Sequence, residues 1–301
     1  LLDYIQHFIL YEDLGNSIIK RNARYHQFDA VRQAVSATVN PEKHPLDKIN
    51  NDNASSYKKS GVVWHTQGSG KSISIAYYAG KISQMPLMQN PTLIVVTNHN
   101  ELERQLFNTF CNAQMLLRQL PVQIKSSDML QEVLEKRPAG GIFFITKQKF
   151  FLKGREEIFP LLTDRHNVVV IIDEIRHNEY KLKYLDYMSK GFPNATFIAF
   201  TGSPISSDDK DRFGKYINIY NMKDAINDQS IVPLYYESRF AKFQVEKLIF
   251  PGNNLEIEGT TKDNKETIWQ EDSKDRWANL ERTVGAEPRI EKIAQDIVTH
   301  F

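Results

Sequence analysis

Residues of phosphate chemistry cluster at Thr66-Gln67-Gly68-Ser69-Gly70-Lys71-Ser72. Gly68 and Gly70 let backbone N–H groups turn inward around a phosphate, and a following helix adds its positive end. Lys71 reaches β- and γ-phosphate oxygens as a point charge, and Ser72 offers a hydroxyl to Mg2+. A second candidate is Asp173-Glu174, which closes the run Val168-Val169-Val170-Ile171-Ile172. In that position Asp173 is suited to hold Mg2+ through water, and Glu174 to orient or deprotonate an attacking water. The third is Thr201-Gly202-Ser203-Pro204, whose small residues allow close approach to the γ-phosphate side. Each has a plainer reading: a polar turn, a solvated acidic turn, and a strand ending in Gly and Pro.

The elements that position them are legible as alternating patterns. An apolar stretch, Gly61-Val62-Val63-Trp64, precedes the glycine loop, and Ser74-Ile75-Ala76-Tyr77-Tyr78-Ala79 follows it as a helix-compatible run. That is the strand–loop–helix setting a phosphate loop needs. The β-branched run before Asp173 has no polar break, as a strand buried on both faces of a parallel sheet requires. Ala195-Thr196-Phe197-Ile198-Ala199-Phe200 is a third strand before Thr201. From Gly61 to Phe200 strand-like and helix-like runs alternate, which predicts βαβ crossovers and a parallel sheet covered by helices.

The order of phosphate loop, acidic pair and Thr-Gly-Ser-Pro resembles the first motor domain of superfamily 2 helicases and translocases; a kinase or small GTPase lacks that third element. Further segments resemble the restriction subunit of type I restriction-modification enzymes. These are Trp64-His65-Thr66-Gln67-Gly68-Ser69-Gly70-Lys71, in which His65 stands where the general phosphate-loop pattern has glycine, and Tyr25-His26-Gln27-Phe28-Asp29-Ala30-Val31-Arg32. Leu93-Ile94-Val95-Val96-Thr97, Ile145-Thr146-Lys147-Gln148-Lys149-Phe150, Phe213-Gly214, Val232-Pro233-Leu234-Tyr235-Tyr236-Glu237 and the terminal Asp296–Phe301 also fit, so the resemblance spans nearly the whole chain.

The resemblance implies a RecA-like P-loop NTPase that uses ATP and Mg2+. Gln27 would read the adenine edge; Thr97, Asn98, Lys147 and Gln148 would lie near the DNA backbone. The partners would be duplex DNA and the modification (methylase) and specificity subunits of one complex, in the cytoplasm. The full enzyme would translocate duplex DNA and then cleave it. Two positions depart from the family. Ile175-Arg176-His177 stands where Ala-His-Arg is usual, so coupling of ATP to Thr201-Gly202 falls to Arg176 or His177. Asn98-His99 replaces an acidic–basic pair after Thr97. Two other readings stay open: another superfamily 2 helicase or remodeller, and a nucleotide-gated interaction module without catalysis.

The 301 residues carry a net charge of only +1, so DNA affinity would need a local basic patch, and Lys147, Lys149, Lys153 and Arg155 could form one or equally a solvated helix face. The lone Cys111 excludes internal disulfides and fits a reducing compartment. No apolar run approaches membrane-spanning length. Residues 1–60 read as a helical N-terminal extension, 61–231 as the motor domain, and 232–301 as β segments and a linker helix. That helix carries an apolar stripe of Ile290, Ile293, Ala294, Ile297, Val298 and Phe301. A start at Leu1 without Met suggests an excised piece, which by itself would bind ATP but turn it over poorly and cut nothing.

Overall fold

The computed structural model describes residues 1–13, 15–40, 58–98, 100–150, 160–175, 183–235 and 287–300. Seven strands form one parallel sheet: β3 (Lys58–His65), β4 (Thr92–Thr97), β5 (Pro121–Gln123), β6 (Ile142–Thr146), β7 (Val168–Asp173), β8 (Thr196–Thr201) and β9 (Tyr216–Tyr220), in the order β5-β6-β4-β7-β8-β3-β9. Because all pairings are parallel, the carboxyl ends of all strands lie along one edge. His65, Thr97, Thr146, Asp173, Thr201 and Tyr220 stand there.

The unbroken apolar runs are explained by burial on both faces. In β7, Val169 and Ile171 pack on one side with Leu93, Val95, Ile198 and Phe200. Val168, Val170 and Ile172 pack on the other with Ile94, Val96, Phe197 and Ala199. The first face is covered by α2 (Tyr25–Val39), α3 (Lys71–Ser83), α4 (Asn100–Asn112) and α5 (Gln114–Leu117), through Val31, Ile75, Phe110, Leu116 and their neighbours. The second is covered by α6 (Ser127–Lys136), α7 (Lys183–Gly191) and α8 (Ser207–Phe213), through Leu130, Leu185, Met188 and Phe213. Each fully buried Val or Ile contributes about 1.5–3 kcal/mol, so the two layers fix strand register firmly.

The segment before β3 is not wholly helical. Besides α1 (Leu2–His7) and α2 it holds an antiparallel hairpin, β1 (Ile9–Asp13) and β2 (Ile18–Asn22). Every residue of β2 is exposed, so no apolar alternation marks it in the sequence. The strand β3 starts at Lys58, and the sheet runs past Phe200 to β9, after which α9 (Met222–Asn227) follows. Residues Leu1–Pro233 form one compact unit and Leu234–Phe301 a second. In the second unit, α10 (Glu287–His300) forms where the apolar stripe predicts a helix, with Ile290, Ile297 and Val298 exposed. Val232–Tyr235 is not strand, and the rest of the expected β segments lies outside the described residues. Among the described residues no helix is long and apolar enough to cross a membrane.

Candidate active site

The glycine loop joins β3 to α3. Its fold is set by Thr66, whose carbonyl accepts from the Ser69 hydroxyl at 2.6 Å and whose N–H donates to the Tyr220 carbonyl at 2.9 Å. Gly70 caps α3 in the left-handed region at φ 84°, where a Cβ would stand 2.6 Å from Gln27 Nε2. Glycine is therefore required twice over, by conformation and by space. The first-turn residues Lys71 and Ser72 are half-buried.

Lys71 Nζ donates to Glu174 Oε2 at 2.6 Å, a short charge-assisted bond with little water around it. Asp173 Oδ1 forms a looser ion pair with the same ammonium at 3.4 Å and has no well-formed hydrogen bond among the described residues. Burial pushes the Asp173 carboxyl above its usual range; Lys71 opposes the shift and Glu174 adds to it. A buried carboxylate oxygen with only an ammonium nearby fits a hard cation. The described residues contain no cluster of three or more His, Cys, Asp or Glu able to hold a metal. Mg2+ is such a hard cation, taking one or two carboxylates and filling its octahedron with water and phosphate oxygens. Asp173 supplies the carboxylate at this edge, and Ser72, in the first turn of α3, carries a hydroxyl.

Glu174 itself is held in the left-handed region at φ 65°, unusual for a side chain this long and costing about 1–3 kcal/mol. Its N–H donates to the Phe200 carbonyl at 2.8 Å, and its carbonyl accepts from Asn98 Nδ2 at 2.7 Å. The Thr-Gly turn comes close: a Cβ on Gly202 would lie 3.1 Å from Gln67 Cγ and 3.7 Å from Glu174 Oε2. Thr201 is fully buried, and its hydroxyl accepts from Ser203 N–H at 3.2 Å, closing the turn. The structure thus brings Gln67, Lys71, Asp173, Glu174 and Gly202 together.

Three expectations fare differently. Gln27 is buried at the third position of α2, where Oε1 accepts from Arg24 N–H at 2.9 Å and Nε2 donates to the Gly70 carbonyl at 3.1 Å. Each half of its amide thus makes one bond to protein, Oε1 to the cap of α2 and Nε2 to the glycine loop, with a second N–H and a second lone pair left over. Thr97, Asn98 and Lys147 are buried and face inward, whereas only Gln148 of that expected DNA set is exposed. For Asn98 and Lys147 the reason is mutual satisfaction: Lys147 Nζ donates to Asn98 Oδ1 at 2.6 Å and Gln148 Nε2 to the Asn98 carbonyl at 2.7 Å. Of the suggested basic patch, Lys149 is exposed. Lys153, Arg155, Arg176 and His177 lie outside the described residues.

Sequence reasoning missed the layer behind the loop. The His26 ring stacks on Tyr220 at 3.9 Å and 4°, and its Nε2 lies 3.1 Å from the Ser69 carbonyl. His65 Nε2 lies 3.0 Å from Asn218 Oδ1, and burial lowers the His65 pKa to about 4. Tyr25 bonds to Asp228, Arg24 to Ser230, and the Ile231 side chain reaches Gly68. All these partners but Ser69 sit on or after β9, a half-polar strand that carries no long apolar run to announce it.

Comparison with known proteins places the chain in a family. The profile of the SWI2/SNF2 ATPase family matches residues 26–268. The chain belongs to the SWI2/SNF2 ATPase family. This ATPase domain is 37% identical over 316 residues to the type I restriction enzyme HindI endonuclease subunit of Haemophilus influenzae, covering 100% of the chain and 28% of that protein. It is 33% identical to the putative type I restriction enzyme MjaIXP endonuclease subunit of Methanocaldococcus jannaschii, covering 100% of the chain and 27% of that protein. The chain therefore spans little more than a quarter of the length of these relatives. Among solved structures, T4 UvsW overlaps with a TM-score of 0.38 at 13% identity, covering 73% of this chain and 36% of that one. The sheet order, phosphate loop and family assignment make the fold a RecA-like α/β motor domain.

Proposed function

We propose that the chain is the ATP-binding motor domain of a type I restriction endonuclease subunit, and that the full protein uses ATP and Mg2+ to translocate duplex DNA before cleavage. The observation that carries this reading is the Lys71 ammonium bridging Glu174 and Asp173 at the mouth of the glycine loop, with Gly202 against the same carboxylate. Relatedness along the whole of this chain to about a quarter of two endonuclease subunits supports the restriction assignment. The partners would be the modification and specificity subunits, in the cytoplasm. Residues 61–231 would be the motor proper, 1–60 its N-terminal extension and 232–301 the link onward.

The residues divide the work as follows. Backbone N–H groups of Gly68 to Ser72 cradle the phosphates at the positive end of α3. Bound Mg2+, held by Asp173 and Ser72, would neutralise charge on the β- and γ-phosphate oxygens. Lys71 exchanges its carboxylate partner for phosphate oxygens, and that exchange frees Glu174 to accept a proton from the attacking water. Gly202, close to Gln67 and Glu174, and Thr201 before it carry the change away from the site, with Arg176 and His177 as further coupling residues. Gln27 holds Gly70 in place beside the base-binding side. The test is binding of a fluorescent ATP analogue with Mg2+: the wild-type chain should bind it, and Lys71→Ala, still folded by circular dichroism, should not. Equal affinity in the two would remove Lys71 from the nucleotide site.

A further inference from the structure

We infer that Asn98 is a positioning residue for ATP turnover, because its amide locks the Glu174 peptide and ties it to Lys147 on the neighbouring strand end. The inference rests on the ATP-site reading above and adds to it a residue that touches neither phosphate nor water. The orientation of the amide is dictated by chemistry. Lys147 can only donate, so it faces Oδ1; the Glu174 carbonyl can only accept, so it faces Nδ2. The two contacts, at 2.6 and 2.7 Å, leave Asn98 bonded on both sides, and Gln148 closes on its backbone carbonyl.

What Asn98 holds is the strained point of the site. Glu174 has a left-handed backbone, and such a conformation persists only when the surroundings over-determine it. One side of the residue is fixed by the Phe200 carbonyl, the other by Asn98. With both in place the carboxylate points at Lys71 and lies beside Gly202. Without Asn98 the residue is free to relax toward an ordinary conformation, which swings the carboxylate off the line of attack. Lys147 and Gln148 begin the segment after β6, and Gln148 is exposed, so events on that surface reach Glu174 through one buried side chain.

The experiment measures DNA-stimulated ATP hydrolysis by the full-length protein assembled with its modification and specificity subunits. The wild type is compared with Asn98→Ala, Asn98→Asp and Lys71→Ala. Asn98→Asp is the informative variant: it keeps an acceptor for Lys147, so the fold stays supported, but has no proton for the Glu174 carbonyl. Both Asn98 variants should lose about 10²-fold in kcat, the scale of a small misplacement of a reacting group. KM for ATP and the salt dependence of DNA affinity should stay at wild-type values. Wild-type kcat in Asn98→Asp overturns the inference. So does a loss confined to DNA affinity, which would mark Asn98 as a DNA contact. Retained turnover in Lys71→Ala would instead sink the ATP-site reading itself, so the two failures are told apart.

Discussion

Two stretches of one sheet edge behave oppositely. At the ends of β3, β7 and β8 the residues singled out by type and spacing converge: Lys71 on Glu174 and Asp173, Gly202 against Gln67. At the ends of β4 and β6, of the residues expected to face DNA, Thr97, Asn98 and Lys147 are buried, Asn98 bonds to Lys147, Gln148 and the back of Glu174, and only Gln148 is exposed. The difference lies in what decides direction. A phosphate loop is built from backbone geometry that glycine spacing encodes locally. The direction of Asn98 and Lys147 depends on a partner 49 residues away, and no local pattern records it. Being placed at the ligand edge of a sheet does not by itself make a residue a ligand contact.

The sharpest break of this comparison is at Lys71. In the first stretch it is the only described cation on the two carboxylates, so Lys71→Ala should reduce ATP turnover of the full protein by about 10²–10³-fold, the scale of losing one electrostatic stabiliser. Steady-state kinetics with duplex DNA present would measure it. A loss of less than tenfold would mean that the convergence at this edge does no chemistry.

A second test concerns what lies behind the loop. His65 is fully buried with its pKa lowered from 6.5 to about 4, chiefly by burial. Between those values the unfolded chain holds a proton there that the folded chain lacks. Stability from this group is therefore complete above pH 6.5 and is lost as pH falls toward 4, by about 3 kcal/mol. Denaturant unfolding at pH 7.5 and 4.5 should show a smaller pH loss in His65→Asn than in the wild type by roughly that amount. Parallel pH profiles would show that His65 is already protonated in the fold.

How far the sequence spoke can be read from particular elements. Val168–Ile172 and Ala195–Phe200 announce themselves, because a strand covered on both faces must be apolar throughout, and they deliver Asp173 and Thr201 to the right edge. The strand β9 does not, since Tyr216, Asn218 and Tyr220 interrupt it and only Tyr220 is buried. The hairpin of β1 and β2 is hidden for a related reason: exposed on every residue of β2, it has no pattern to show. Gln27 falls between. The resemblance implies an adenine contact for it; its Oε1 bonds to Arg24 N–H in the cap of α2, and its Nε2 to the Gly70 carbonyl, which only packing of α2 on α3 brings within reach.

That placement has a consequence for selectivity. If Gln27 serves chiefly to hold Gly70, Gln27→Ala should weaken ATP and GTP binding alike, by about 1–3 kcal/mol for the buried bonds removed. If it reads the base, only the preference for ATP should erode. Competition binding with both nucleotides separates the two, and selective loss for ATP would restore the adenine role. The smallest effect belongs to Thr97, whose buried hydroxyl has no hydrogen-bond partner among the described residues. Thr97→Val should be neutral or stabilising by up to about 1 kcal/mol, with DNA affinity unchanged. Weaker DNA binding in that variant would mean that the hydroxyl turns outward to DNA.

The central claim is that this edge hydrolyses ATP with Glu174 as the proton acceptor. The most direct measurement is Glu174→Gln in the full-length protein, read for both Mg-ATP binding and DNA-stimulated hydrolysis. The account predicts that binding survives, because the amide keeps the size and place of the carboxylate, while hydrolysis falls by about 10²–10⁴-fold with the loss of a general base. Hydrolysis at the wild-type rate in a variant that still binds Mg-ATP would contradict it.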